Sequence, residues 1–320
     1  MTKLRTLLVC SPGGHLGELD ALAPRIEPPS EQTWWATAST PQSDQLLAGR
    51  RHLPIRNVPP RAWRGAVRSL PEARTLIRTH GIGRIVSTGA AVAIPYFVAG
   101  RAVGAECHYI ESAARVRGMS VTGRLADLIP GVHCYTQYPA QATGKVTYAG
   151  SVFDRFSPVD AVADVPKKVV VTLGTMRFPF RRAVVSVHRL LTELGVRPSD
   201  VLWQVGPTPT DDLGIVAGDL IPPDTLRQAM VEADLVIAHA GVGSTLMALE
   251  TGNRPILLPR LHQFGEHVDD HQTLICDEME RRGLATRHNP DDLTAADLIA
   301  AVGRRATSNA NPPAIRLIAG

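Results

Sequence analysis

The residues best suited to chemistry lie in three glycine-rich turns and one polar loop. In ADLVIAHAGVGSTLMALETGNRPILLPRLHQFGEHVDDHQ, Ala233 to Gln272, an apolar run ends at His239 and passes through Gly241 and Gly243 into a helix-forming stretch. Small residues at such a turn let a ligand approach the backbone. The amides of the helix's first turn, read as Gly243, Ser244 and Thr245, then face outward with the positive end of the helix dipole. That combination suits a diphosphate. Gly174 and Thr175, which close the apolar run KVVVTL, offer a second set of amides. Glycines alone would serve a packing turn equally well, but the second strand-like run, Pro255 to Leu258, opens into PRLHQFGEHVDDHQ, far more polar than an ordinary connection. His271 and Gln272 are its best candidates for contacts to hydroxyls or phosphate.

The third turn is SPGGHLGELDAL, where His15 directly follows Gly13 and Gly14. An imidazole titrates near neutral pH, and a helix N-terminus lowers its pKa, favouring the proton-accepting form. His15 therefore leads as a general base. Glu111, just beyond an apolar run in YIESAAR, and Glu18, one helical turn from His15, are rivals; Glu18 alternatively only orients the histidine. No Asp-x-Asp occurs, and the adjacent pairs Asp211-Asp212, Asp269-Asp270 and Asp291-Asp292 are a weak metal signature, so no metal site is assigned.

The elements that must position these residues alternate between short apolar runs and helix-period segments. Strands are expected at Leu4 to Cys10, Thr33 to Ala38, Leu53 to Val58, Ile85 to Ser87, Glu106 to Ile110, Val132 to Thr136 and Val146 to Ala149. A second series follows at Lys168 to Leu173, Val201 to Val205, Ile215 to Ala217, Leu235 to Ala238 and Pro255 to Leu258. Ser69 to Glu72 has capping-box spacing with a proline in the first turn, so a helix should start there and run to Gly81. The last helices are expected over Glu266 to Arg282 and Ala295 to Arg305. This reads as an α/β protein of two Rossmann-like domains facing across a cleft: 1–152, a proline-punctuated linker 153–167, 168–306, and a loosely attached tail 307–320. In open parallel sheets ligands bind beyond the carboxyl ends of strands, where all these turns fall.

Composition excludes several classes. Few aromatics (5%) and a formal charge of only +4, with basic and acidic residues interspersed, argue against nucleic acid. Cys10, Cys107, Cys134 and Cys276 form no CxxC pair and read as reduced core thiols, hence a cytoplasmic protein. No leader is evident, and the longest apolar window, Ala90 to Gly100, is broken by Pro95 and falls short of the roughly 20 residues of a membrane span. Arg61, Trp63, Arg64 and Arg68 could form a basic, aromatic surface for anionic lipid headgroups, or one side of a partly solvated helix. No G-x-G-x-x-G with a later acid is present, which disfavours a dehydrogenase.

The motifs VVVTLGTMRF, LWQVG, ADLVIAHAGVGS and DDHQ resemble glycosyltransferase family 28, of the GT-B fold, and specifically the catalytic subunit of the dolichyl-linked chitobiose-forming N-acetylglucosaminyltransferase. SPGGHLGEL, YIESAARVRGMSVTGRLADL and TQYP look like that enzyme's membrane-recruiting subunit, as though both were fused in one chain. PRLHQFGEHVDDHQ is similar to bacterial exopolysaccharide glycosyltransferases. The resemblance implies an inverting, metal-independent transfer from a UDP-sugar, without a cofactor, to a lipid-linked or small-molecule acceptor, with peripheral membrane contact at most. It places donor contacts at Gly174, Thr175, Ile221, His239, Gly241, Gly243, Ser244, Thr245, His271 and Gln272, and the acceptor loop at Gly13, Gly14 and Arg115. Uracil would lie against Leu220 and Ile221. Met247 stands where many relatives carry the ribose-binding glutamate, with Glu250 one turn on as a substitute. A soluble tailoring transferase, a UDP-sugar 2-epimerase and a non-catalytic nucleotide-sugar binder are the competing functions.

Overall fold

A computed structural model describes residues 4–30, 32–58, 63–159 and 165–318, apart from the side chains of residues 63 and 64. The chain divides into two compact units, Met1–Asp154 with Pro312–Gly320, and Arg155–Asn311.

In the first unit the strands are β1 (Thr6–Cys10), β2 (Ile26–Glu27), β3 (Thr33–Thr37), β4 (His52–Pro54), β5 (Arg84–Gly89), β6 (Glu106–Ile110), β7 (Val132–Thr136) and β8 (Val146–Tyr148). The helices are α1 (Gly14–Leu22), α2 (Pro41–Leu46), α3 (Trp63–Arg68), α4 (Leu70–Thr79), α5 (Ala93–Arg101) and α6 (Val121–Asp127). Among the described residues seven strands form a parallel sheet in the order β4-β3-β1-β5-β6-β7-β8. Parallel strands need both faces covered, which is why β1 is buried from end to end. Leu7, Val9, Ile85, Tyr96, Phe97 and Cys107 make the core on one face. Each large apolar side chain buried there contributes roughly 1.5–3 kcal/mol. β1, β5 and β6 end together, at Cys10, Gly89 and Ile110, so the loops after them share one edge.

The second unit repeats the plan with β9 (Phe156–Val159), β10 (Val169–Thr172), β11 (Val201–Gln204), β12 (Ala217–Gly218), β13 (Leu235–His239), β14 (Ile256–Leu258), β15 (Thr286–Arg287) and β16 (Arg305–Ser308). Its helices are α7 (Arg181–Glu193), α8 (Pro223–Glu232), α9 (Val242–Glu250), α10 (His271–Arg281) and α11 (Ala295–Ala301). The sheet, again parallel, has the order β12-β11-β10-β13-β14-β15. Val171, Leu173, Phe180, Val184, Ile237 and Leu258 fill one face.

Several local expectations are corrected. Ser69 does not cap α4: it sits in helical geometry, and its hydroxyl donates to the Gly65 carbonyl at 3.2 Å because α3 runs directly into it. Arg61 lies outside the described residues, as do the side chains of Trp63 and Arg64. Within the segment read as a linker, β9 pairs antiparallel with β16, while residues 160–164 lie outside the described residues. The tail is not loose. A last strand, β17 (Ile315–Arg316), pairs with β2; Arg25 Nε donates to the Pro313 carbonyl at 2.8 Å, and the Ile318 amide donates to Tyr135 Oη at 2.8 Å. α10 starts at His271 rather than Glu266, with Asp270 as its N-cap. α11 stops at Ala301, and Arg305 begins β16. Among the described residues no helix is long and apolar enough to cross a membrane. All four cysteines are free and buried, and burial pushes the thiols of Cys107, Cys134 and Cys276 up to about 12.

Candidate functional site

In the second unit the turns after β10 and β13 close on the imidazole of His239, and the turn after β11 closes on the one after β10. Gly174 (φ 82°) has no room for a side chain, since a Cβ there would meet His239 Cε1 at 2.7 Å. A Cβ on Gly241 would strike His239 Nε2, and one on Gly206 (φ 59°) would lie 2.7 Å from the Gly174 carbonyl oxygen. Three glycines and one ring thus set how closely these turns approach one another. His239 is 8% exposed and its Nδ1 has no hydrogen-bond partner. Burial, then the nearby Arg260 cation, lower its pKa to about 3, so it is a neutral wall rather than a charge.

α9 begins at this point with Gly241 as its N-cap and no side chain closing the cap. The amides of Val242, Gly243 and Ser244 therefore lack intrahelical acceptors. Gly243 is exposed, and a Cβ on it would meet nothing within 4 Å. Thr245 differs from its expected role. It is fully buried, its amide donates to the Gly241 carbonyl at 3.0 Å, and its hydroxyl donates to the same oxygen at 2.9 Å. The free donors begin one residue earlier, at Val242.

The polar loop is braced from inside. Gln272, 2% exposed, accepts from the Arg260 amide at 3.0 Å through its side-chain oxygen. His271 Nδ1 contacts the Asp269 carboxylate, and His267 Nδ1 lies 3.2 Å from the same oxygen. His267, Asp269 and His271 offer three ligand-type atoms within 4.8 Å of one another, the one group among the described residues able to hold a metal ion. Thr175 is exposed beside Gly174.

Two donor contacts expected from the sequence are placed otherwise. The Ile221 amide is already spent, donating to Gln204 Oε1 at 3.0 Å. Glu250 closes the far end of α9, about 12 Å along the axis from Val242 by helical rise, and pairs with Arg227 at 2.9 Å and Arg155 at 3.7 Å. Met247 is half-buried.

In the first unit the three acid-base candidates occupy one edge of the sheet but in different states. Gly13 (φ 85°) turns the chain into α1, and Gly14 is exposed. The His15 ring lies over Gly89: a Cβ there (φ 115°) would come 3.3 Å from His15 Cε1 and 3.5 Å from Tyr109 Oη. His15 is half-buried, with an unpartnered Nδ1. Burial lowers its pKa, and Arg115, half-buried in the loop after β6, adds to the lowering. Both carboxylates are committed. Glu18 accepts from Ser112 Oγ at 2.8 Å, from the Ala113 amide at 2.6 Å and from Gln137 Nε2. Glu111 accepts from Tyr109 Oη at 2.9 Å and from the Ser112 and Ser120 amides at 3.2 and 2.8 Å. They fold the loop Glu111–Ser120 onto α1 and the turn after β7, whereas His15 is partly exposed and carries an unbonded, buried Nδ1.

Residues 168–313 match the glycosyltransferase family 28 C-terminal domain. Among curated proteins none matches the chain significantly. Solved structures match it over nearly its whole length. MurG of Acinetobacter baumannii is 18% identical with a TM-score of 0.60, over 93% of this chain and 89% of that one. The glycosyltransferase of kitacinnamycin is 14% identical with a TM-score of 0.60, over 94% and 90%. The UDP-GlcNAc 2-epimerase of Methanocaldococcus jannaschii is 10% identical with a TM-score of 0.60, over 95% of both chains. The protein has the GT-B fold.

Within this GT-B chain three contributors escaped the sequence reading. Gly206 was embedded in an apolar strand motif, Gly89 stood in STGA with no chemistry beside it, and Arg260 looked like one polar loop residue among many. Only Gly206 carried a signal, a glycine closing a strand-like run. Two cavities of the second unit open elsewhere, between the amino-terminal ends of β10 and β11 beside Lys168 and Val201, and along α7 beside His188 and Trp203.

The buried groups of the two GT-B units predict different acid sensitivity. A histidine whose folded pKa is depressed stabilises the fold above the unfolded value, and that stability is lost as pH falls through the window below it. For His239 the window runs from 6.5 to about 3, and His267, lowered by burial and then by His271, acts the same way. His108 in the first unit also falls to about 3 through burial, but Glu18 opposes it. Burial raises the Glu18 pKa to about 7, so protonation below pH 7 relieves a cost of the folded state. Hydrogen exchange at pH 7 and pH 5 should show amide protection falling more in β10 and β13 than in β1 and β5. Equal losses in both sheets would contradict this assignment.

Proposed function

We propose that the protein is an inverting glycosyltransferase that moves a sugar from a UDP-sugar, held by the second unit, to an acceptor hydroxyl activated by His15 in the first. The observation that carries this reading is the uncapped α9 start behind Gly241, where the amides of Val242, Gly243 and Ser244 have no cap and a Cβ on Gly243 would meet nothing within 4 Å. Those amides and the helix dipole neutralise a diphosphate, and Thr175 extends the polar rim. His271, oriented through Nδ1 by Asp269, turns its other ring nitrogen to the donor hydroxyls or phosphate. Gln272 acts through its hold on the loop, with only its amide nitrogen left to donate. Ile221 gives no amide to uracil, and Glu250 is not the ribose contact.

In the reaction neutral His15 accepts the acceptor hydroxyl's proton while the oxygen attacks the anomeric carbon. The bond from that carbon to the diphosphate oxygen breaks with its electron pair, and UDP leaves from the opposite face, inverting the centre. Gly13 and Gly14 let the acceptor approach, and Arg115 can meet an acceptor phosphate. A polyprenyl-diphosphate-linked saccharide in exopolysaccharide or cell-envelope synthesis is the acceptor we favour, in keeping with the resemblance of the motifs in the two halves to the two subunits of a lipid-linked system. Val67 with Arg68 on α3, and Val121 with Arg124 on α6, are exposed and suit peripheral contact with an anionic lipid surface at the inner face of the membrane.

The test is incubation with UDP-N-acetylglucosamine and UDP-hexoses, with and without a lipid-linked acceptor extract. UDP release that requires the extract is the expected result. Release with small hydroxylated acceptors alone would make it a tailoring enzyme, an epimeric UDP-sugar would make it a 2-epimerase, and binding without turnover would leave only a nucleotide-sugar binder.

A further inference from the structure

The Arg260 side chain is completely buried, yet its guanidinium is bonded only to neutral main-chain oxygens. Nη2 donates to the Leu173 carbonyl at 2.6 Å, and Nη1 donates to Phe178 at 2.6 Å and Glu266 at 3.2 Å; Nε has no partner. The group stacks on Phe180, 4.9 Å from the ring centroid. The Glu266 carboxylate acts on it electrostatically, but both its oxygens are bonded to Arg182, at 3.1 and 3.0 Å, and one also accepts from the Leu261 amide. Arg182 is also paired with Asp291 at 2.7 Å, so the four charges balance, but neither carboxylate touches the buried Arg260 guanidinium. A buried guanidinium bonded only to neutral oxygens is incompletely compensated, and a bound anion would offset that cost.

The position of the guanidinium says where the anion goes. Leu173 is the residue before Gly174, so the guanidinium is fastened directly behind the first glycine turn. We propose that Arg260 is the fixed cation of the donor site: it touches no ligand, but its field stabilises the diphosphate at the Gly174 and Gly241 turns and the charge that develops as the sugar bond breaks. This rests on the reading that the second unit binds a nucleoside diphosphate. His239, between the two turns, feels the same field, as does His267. Both imidazoles stay neutral and leave Arg260 as the charge behind the turns. Inside the protein such a charge is little screened, so it acts strongly without contact.

The decisive experiment compares calorimetric affinities of wild type, Arg260→Gln and Arg260→Lys for UDP, UMP and uridine, with melting temperatures alongside. A field effect scales with ligand charge. Arg260→Gln should lose about tenfold or more in UDP affinity, less for UMP, and under about twofold for uridine, while Arg260→Lys recovers most of the UDP-to-uridine ratio. Equal losses for UDP and uridine would make Arg260 a loop brace only and overturn the proposal. Should Arg260→Gln fail to fold, Arg260→Lys decides: it has fewer bonds but the same charge, and a collapsed UDP-to-uridine ratio in it counts against the proposal. Wild-type protein that binds no UDP would instead remove the donor reading, and this inference with it.

Discussion

Replacing His15 with alanine is expected to lower kcat by about a hundredfold to ten-thousandfold, the usual range for removing a positioned general base. Donor affinity should stay within about twofold, because His15 belongs to the first unit and the diphosphate amides to the second. The sign of the pH dependence is also fixed. A base works unprotonated, and burial lowers the His15 pKa below its ordinary 6.5, so the acid limb of the wild-type profile should lie below pH 6.5. In His15→Ala that limb disappears. Glu111→Gln and Glu18→Gln should behave otherwise, lowering the melting temperature along with activity, since each carboxyl accepts three hydrogen bonds, two of them from the loop after β6. Full kcat in His15→Ala would move the base elsewhere.

Much of the α/β alternation was legible because fully buried parallel strands read as uninterrupted apolar runs. TLLVC, ECHYI, VVVT and LVIAH needed no tertiary information. The missed strands are of another kind. β9 with β16, β2 with β17, and the two-residue β15 against β14, are short, and each exists only because a partner elsewhere along the chain pairs with it. Local pattern cannot announce such a pairing. The same limit explains Ser69, whose capping signature was outcompeted by the helix that precedes it.

At the site, the glycine turns were legible as turns, but the reason for each glycine was not. Gly174 and Gly241 are small because His239 occupies the volume a Cβ needs, and Gly89 because the His15 ring does. Burial and prior commitment decided the rest. Thr245, Ile221, Gln272, Glu18 and Glu111 are all polar groups or amides at suitable sequence positions, and all proved to be already bonded internally. A sequence gives residue types, whereas availability depends on partners from other strands. Arg260 shows the converse, an ordinary loop arginine made significant by complete burial.

The largest effect on donor binding should come from two alanine substitutions two residues apart. At Gly241 the backbone (φ −89°) accepts any residue, so the cost of Gly241→Ala is purely the collision of its Cβ with His239 Nε2. Overpacking of this kind costs about 1–3 kcal/mol, and relief requires a shift of the His239 ring or of the turn that carries the donor amides. UDP affinity should then fall at least about tenfold, equivalent to about 1.4 kcal/mol, together with the melting temperature. At Gly243 the expectation separates the two readouts. No heavy atom lies within 4 Å of a Cβ there, and alanine is the better helix former by up to about 1 kcal/mol, so Gly243→Ala should hold or raise the melting temperature. It should still weaken UDP, because the added methyl stands where the diphosphate approaches the α9 amides. A Gly243→Ala protein that binds UDP as tightly as wild type would show that the anion does not rest on this helix start, whatever Gly241→Ala does.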